Sequence, residues 1–358
     1  MAEQLPKNNQ PQYDFLIVGQ GIAGSVLSIS LIKAGFSVCV IDNSKLSSCS
    51  RVAAGIWNSV VFKRLAKSWM ADQIIPELLS FYEYCETIFG ANLITKREIL
   101  KPFTEMQEQD FWLKKSESEN QYLSKEIFSN YKLTKNQSLN YYSKVKGAGN
   151  LNVIEFLFQV KKYISNLFQY LEEDFLFSEF KYDNDCVNYK NIFAKQVVFC
   201  EGHLVSENPF FNWIPTKPAK GEVIIIKCAD LILEKDILSK GIFIMPLGNQ
   251  LFKVGATYQW DNLNDNPTQK GLLELENKLK LIIDCSFEVV NHEAGIRPSV
   301  IDRRPVVGLH PNQKNMFIFN GFGTKAVMLA PYFASHLINC ISNSSPINPD
   351  VNPNRFKK

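Results

Sequence analysis

Residues 13–42, YDFLIVGQGIAGSVLSISLIKAGFSVCVID, decide the fold. Phe15 to Val18 is a short apolar, strand-like run, and Gly19-Gln20-Gly21-Ile22-Ala23-Gly24 follows at once. Ser25 to Ala34 then carries Val26, Ile29 and Ile32 at helical spacing, Gly35 marks the helix end, and SVCVID gives a second apolar strand closing on Asp42. Strand, GxGxxG turn, helix, strand and terminal acid, in that order, make a dinucleotide-binding βαβ unit. Gly19 permits the tight turn, Gly21 lets the backbone approach a pyrophosphate, and Gly24 lets the helix lie close on the strands. The helix N-terminus offers N–H groups and partial positive charge to the phosphates. Asp42 accepts hydrogen bonds from ribose hydroxyls, and its charge would repel a 2′-phosphate, which disfavours NADP. These residues specify an adenine dinucleotide without saying which one.

Working outward, 358 residues are too many for one simple core, so two interleaved domains are expected. A composition of 46% hydrophobic and 21% charged residues suits a soluble globular protein. The net charge of +3 is too weak to argue for nucleic acid, and the basic end RFKK reads as a solvated terminus. Eight cysteines without CxxC or other metal-ligand spacing read as buried, reduced thiols of a cytosolic protein, with no metal site. The polar opening MAEQLPKNNQPQ shows no signal peptide, and no apolar run approaches the ~18 residues of a membrane span. The expected location is cytoplasmic.

Beyond Asp42 the chain reads as small and polar, then helical through about Phe89, with Leu78, Leu79, Tyr82 and Ile88 on the inner face. NLITKREILKPF is strand-like, and residues 104–140 read as helix and loop of a peripheral domain. GAGNLNVIEFLFQVKKYISNLF is a glycine-bounded turn followed by an amphipathic helix, and a hairpin is expected around Asp183-Asn184-Asp185. KGEVIIIK, GIFIMPLGNQLFKVGATY and FEVVNHEAGIRP have strand patterning, with one helix near 268–283. NMFIFNGFGTKAVMLAPYFASHLINCI closes the chain as strand, glycine turn and a helix from Thr324.

Four ordered blocks carry a family resemblance: the opening βαβ unit, SRVAAGIWN, KQVVFCEG, and AGIRPSVIDRRPVVGLHP followed by NGFGTKAVMLAPYFASHLI. Over nearly its whole length the chain resembles the D-amino acid oxidase superfamily of flavoproteins, in the branch of glycine oxidase and monomeric sarcosine oxidase. The resemblance implies FAD and an α/β + β fold, a Rossmann-like FAD-binding domain interleaved with a mixed or antiparallel-sheet substrate domain. The division expected is 1–90, 142–205 and 300–358 for the first and 91–141 and 206–299 for the second. Cofactor contacts are implied at Gly19, Gly21, Ile22, Ala23, Gly24, Asp42, Asn43 and Arg51. Small Ala53, Ala54 and Gly55 would admit a planar ring, and Gly202 would sit by the cofactor. At Gly321, Gly323 and Thr324 a helix N-terminus would face negative charge on the reduced ring. Lys325 reads either as an added positive charge there or as a solvent-facing lysine.

For substrate, the resemblance implies that Arg297 of the GxRP motif holds a carboxylate with two parallel hydrogen bonds; a structural salt bridge is the competing reading. Phe243 stands where relatives carry a substrate-binding tyrosine. Gly295 stands near a cysteine that carries covalent flavin in the sarcosine oxidase branch, so noncovalent FAD is expected. His292 reads either as pocket lining or as a structural histidine. The expected reaction is oxidation of the C–N bond of a small amine or amino acid by hydride transfer to flavin N5, with dioxygen or another acceptor and no side chain assigned as a catalytic base. DRRPVVG, GTKAVMLAP and INPDVNPNRFKK also resemble the oxidase half of the bifunctional tRNA 5-methylaminomethyl-2-thiouridine enzyme. An oxidase acting on a tRNA wobble base is therefore the second reading, and a flavin-binding sensor or scaffold without turnover the third.

Overall fold

The computed structural model describes residues 12–43, 49–118, 120–183 and 185–357. The polar stretch 1–11, Asn184 of the expected hairpin and Lys358 of the basic end lie outside the described residues. Strand β1 (Tyr13–Val18), helix α1 (Ile22–Lys33) and strand β2 (Val38–Ile41) form where the opening pattern predicts them. β1 and β2 pair in parallel, with Phe15 opposite Val38 and Val18 opposite Ile41. Strand alternation divides their side chains between two cores. Phe15, Ile17, Val38 and Val40 pack with α1, while Leu16, Val18, Cys39 and Ile41 pack on the opposite face.

The next stretch departs from its helical reading. Helix α2 (Cys49–Val52) is a single turn, followed by two-residue strands β3 (Ile56–Trp57), β4 (Val60–Val61) and β5 (Ala66–Lys67). Only then does α3 (Ala71–Phe89) begin, with Leu78 and Tyr82 fully buried. Residues 104–140, expected as helix and loop, also yield strands: β6 (Ile94–Phe103) and α4 (Met106–Ser118) precede β7 (Phe128–Lys132) and β8 (Ser138–Leu151). The glycines expected as a turn lie inside β8. Gly149 is a glycine there because a Cβ would come within 2.3 Å of the Trp57 ring, which β3 lays across it.

Helix α5 (Val153–Leu167) starts after Asn152, whose side chain accepts from the Glu155 N–H at 3.3 Å. β9 (Gln169–Leu171), the hairpin β10 (Phe180–Tyr182) and β11 (Val187–Tyr189), and β12 (Ile192–Phe199) follow. Next come β13 (Ala219–Lys227), β14 (Ile237–Lys240), β15 (Ile242–Gly248), β16 (Leu251–Gly255), α6 (Gln269–Lys280) and β17 (Glu288–Arg297). The chain closes with β18 (Val306–His310), β19 (Gln313–Asn320) and α7 (Ala326–Asn343). α7 starts two residues later than the sequence suggests, because Thr324 still belongs to the turn and Lys325, with φ −118° and ψ 19°, is the non-helical N-cap.

Two large sheets result. The first runs β10-β11-β12-β1-β2-β9, with β19 on β12 and β18 on β19. The second runs β17-β13-β16-β15-β14-β6-β8-β3, with β7 on β8. The second sheet is mixed, since β14 and β6 pair in parallel among antiparallel neighbours. β8 belongs to it along its full length, across the expected boundary at 141/142, and β3 joins it from within 1–90. All eight cysteines are free thiols. Among the described residues no helix is long and apolar enough to cross a membrane.

β2, β1, β12 and β19 are mutually parallel, so their C-terminal ends share one edge. Turns with Gly19, Gly202 and Gly321 leave that edge, which is where open α/β sheets receive ligands.

Candidate active site

The turn after β1 is built without side chains because none would fit. Gly19 has φ 98°, and a Cβ there would lie 2.7 Å from the Cys200 carbonyl oxygen; a Cβ at Gly24 would lie 1.8 Å from the Gly19 oxygen. No side chain caps α1, its first turn holds no acid, and Gly21, Ile22 and Ala23 face a cavity. The positive end of the helix dipole is thus directed into that space. The Ile22 N–H donates to Ser50 Oγ (3.0 Å), tying the turn to α2. The Gln20 N–H donates to Asp42 Oδ1 (2.8 Å), which fixes the acid at the tip of β2. Burial pushes the Asp42 carboxyl up, opposed by the Gln20 N–H and by the charges of Arg51 and Lys161.

The cavity, about 740 Å³, lies between the ligand edge of the first sheet and the second sheet. It brings together Gly19, Gly21, Ile22, Ala23, Asp42, Asn43, Arg51, Ala53, Ala54, Gly55, Gly202, Phe243, Arg297, Gly323 and Thr324. Like α1, α7 carries no capping side chain and no acid in its first turn, and Thr324, Ala326 and Val327 line the wall. Asn320 links two of the turns, donating from Nδ2 to the Gly202 oxygen (2.9 Å) while its Oδ1 accepts from the Gly321 N–H (2.7 Å).

Four sequence candidates stand off the wall. Gly24 is packed inward on the turn, and Gly321 faces Val300, where a Cβ would meet Cγ2 at 2.6 Å. Lys325 is neither a cavity residue nor solvent-facing: it is largely buried, and its Nζ donates to Ser68 Oγ (3.0 Å). Burial pushes its pKa down, and nearby Arg304 adds to the effect. His292 lies five residues before Arg297 on β17, so alternation sends the two side chains to opposite faces. Its Nε2 sits 2.8 Å from Glu222 Oε2, away from the cavity.

Arg297, the last residue of β17, enters the cavity wall from the second sheet. Its guanidinium donates to the Lys220 carbonyl (3.4 Å) and the Thr257 carbonyl (3.1 Å), and lies 4.9 Å from the centre of the Tyr258 ring. Among the described residues it has no carboxylate partner. Burial pushes its pKa down, since solvation is lost without a compensating acid. Two of five N–H groups are used on carbonyls, which leaves donors for an incoming anion.

Sequence reading missed Tyr258, Gly221, Ser50 and Glu201. Gly221 is the floor under the guanidinium: a Cβ there would lie 1.9 Å from an Arg297 terminal nitrogen. Glu201, on the wall beside Gly202, is largely withdrawn from solvent, accepts from Asn208 Nδ2 (2.6 Å), and is pushed up to about 7 by desolvation. Only the CEG end of its strand hinted at it.

The residues fit a flavin dinucleotide. The βα turn closes without side chains at Gly19 and Gly24, Gly21 to Ala23 face the cavity as a diphosphate would require, Asp42 is held at the tip of β2 within the lining, and small Ala53, Ala54 and Gly55 line the space beyond. The model of the family described as "FAD dependent oxidoreductase" matches residues 177–339. The chain is 27% identical over 136 residues to a glycine oxidase of Pseudomonas putida, and 26% identical over 166 residues to that of Bacillus subtilis. These matches cover 37% and 45% of this chain and span only 37% and 44% of the relatives' own lengths. In fold the likeness extends over most of the chain. A glycine oxidase structure from Bacillus cereus superposes with TM-score 0.77 at 17% identity, covering 94% of this chain and 96% of that one. An iminodiacetate oxidase from Chelativorans sp. gives 0.79 at 14% identity, covering 95% and 99%. The motif, the cavity, the matched model and the shared fold agree on an FAD-dependent oxidoreductase domain of DAO type, with the family model matched over residues 177–339.

Proposed function

We propose that this protein oxidises the C–N bond of a small, carboxylate-bearing amine or amino acid, using FAD held without a covalent link. The observation that carries the reading is Arg297, a largely buried guanidinium with no acid beside it among the described residues, on the wall of the cavity that begins at the dinucleotide turn. When bound, FAD supplies the acceptor for the hydride that leaves the carbon next to nitrogen. The chain does the positioning. Gly19–Ala23 and the α1 N-terminus hold the diphosphate, Asp42 the ribose, and Arg297 the substrate carboxylate through paired N–H donors. Phe243 and Tyr258 form apolar walls that exclude water and limit the orientations of the amine carbon. Gly295 offers no side chain for a covalent link. The thiols on the wall, Cys49 and Cys200, are both pushed up by burial and stay protonated, which makes them poor nucleophiles. The glycine oxidases and iminodiacetate oxidase among the similar proteins support this class of substrate.

The test is anaerobic mixing of the yellow protein with a panel of amines, amino acids and bulk tRNA, read as loss of flavin absorbance. Small carboxylate-bearing amines are expected to bleach it. Bleaching by tRNA alone would instead favour the wobble-base reading, and none by any compound would leave a binding protein without turnover. Arg297→Ala should raise the concentration of carboxylate amine needed by about tenfold to a hundredfold, the loss of hydrogen bonds to a charged group. An unchanged requirement would remove Arg297 from the site. Denaturation should release all flavin into the supernatant.

A further inference from the structure

Behind the Arg297 wall lies a buried polar network whose charged side chains, Lys220 and Glu222, stand off the cavity. Along β13, alternation turns Gly221 to the cavity and sends Lys220 and Glu222 to the other face, where both side chains are fully buried. Lys220 Nζ donates to Asn264 Oδ1 (2.9 Å) and to the Asn266 carbonyl. The Glu222 carboxylate accepts from the Thr268 N–H (2.9 Å) and hydroxyl (2.8 Å), and lies 2.8 Å from His292 Nε2. The backbone of the same strand holds the start of that loop. Lys220 and Gln259 exchange N–H···O bonds (2.8 and 3.0 Å), the Thr257 N–H donates to the Glu222 carbonyl (3.1 Å), and Thr257 Oγ1 accepts from the Glu222 N–H (2.9 Å). The loop from β16 to α6 is therefore fastened at both ends by two alternate residues of one strand, Lys220 and Glu222, which share a face.

The two carbonyls that hold the Arg297 guanidinium belong to Lys220 and Thr257, and the ring stacked on it belongs to Tyr258. We propose that Lys220 and Glu222 are positioning residues that set the orientation of the Arg297 guanidinium for a substrate carboxylate by fixing the 257–268 loop. The inference rests on the reading of Arg297 as the carboxylate site. A satisfied buried network has one low-energy arrangement, so it transmits a fixed geometry where a loop alone would not. A loop released from Glu222 carries Thr257 and Tyr258 with it, and Arg297 loses one acceptor and its stacking partner together.

The experiment titrates acetate into the FAD-loaded protein and follows the perturbation of flavin absorbance, with FAD affinity and melting temperature as controls. Four variants are compared: Arg297→Ala, Glu222→Gln, Thr268→Val and Thr268→Ser. The last restores the hydroxyl that Glu222 and the Gly271 N–H share. Expected is about a tenfold weakening of acetate binding in Glu222→Gln and Thr268→Val, with FAD affinity kept and Thr268→Ser close to wild type. Should Glu222→Gln fail to fold, the Thr268 pair reads the same connection. Weaker acetate binding in Arg297→Ala alone would overturn the positioning role and keep the carboxylate site. Wild-type acetate binding in Arg297→Ala would overturn the site itself, and the inference with it.

Discussion

Gly221 is a glycine because the Arg297 guanidinium occupies the volume its side chain would take. The obstructing atoms are the far end of a flexible side chain, so Gly221→Ala should displace the guanidinium at little cost to the fold. Carboxylate binding is expected to weaken about tenfold while the melting temperature moves by less than about 4 °C, measured by acetate titration and thermal melt. Glu201 gives a pH signature. Its carboxyl is pushed up from 4.5 to about 7, so between these values the folded chain retains a proton that the unfolded chain releases. Stability should fall as pH climbs from 4.5 to about 7 and level off above. Glu201→Gln abolishes this slope: the variant should melt higher than wild type at pH 8, by up to about 3 kcal/mol, and equal to it at pH 4.5. Equal melting at both values would show that the carboxyl ionises normally. Neither residue announces itself in the sequence. A glycine in a strand and an acid after one acquire meaning only from what stands across from them.

At the scale of elements, the cavity is organised by two helix N-termini, those of α1 and α7, each lacking a capping side chain and a first-turn acid. If the α1 terminus holds a diphosphate, a carboxylate there must repel it. Ala23→Asp should cut FAD affinity by about tenfold or more beyond the neutral Ala23→Asn, measured by reconstituting stripped protein with FAD. α1 was legible because its signals are local: a glycine turn, an apolar run and a terminating glycine within thirty residues of each other. The two-residue strands after α2 were not, because β3 exists only through its pairing with β8, more than ninety residues away. The same holds for the glycines of β8, which resemble a turn until Trp57 is laid upon them. α7 was placed correctly in kind and two residues early, since Thr324 stays in the turn and Lys325 takes a non-helical conformation as N-cap.

Across the whole molecule, the cavity exists because the second sheet is seated on the ligand edge of the first. One tight seam is at Gly295 of β17, where a Cβ would approach the Cys49 Cα of α2 to 3.0 Å and Val52 to 3.5 Å. Because the obstacle is backbone, Gly295→Ala should push α2 away. Expected are a loss of about 1–3 kcal/mol of stability and weaker FAD binding, read by chemical denaturation and by FAD titration. An unchanged stability would mean that the seam has slack. By itself the sequence determined the dinucleotide unit and the likeness to FAD-dependent oxidoreductases, and singled out Arg297 as a candidate, because these are written in residues adjacent along the chain and in motifs of fixed spacing. Only the tertiary structure decided that His292 faces away from the cavity, that Lys325 is buried against Ser68, and that Arg297 has carbonyls and a tyrosine ring but no acid around it among the described residues. The reason is physical: a side chain's partners are set by strand register and by which face of a sheet meets which neighbour, and residues far apart in the chain settle both.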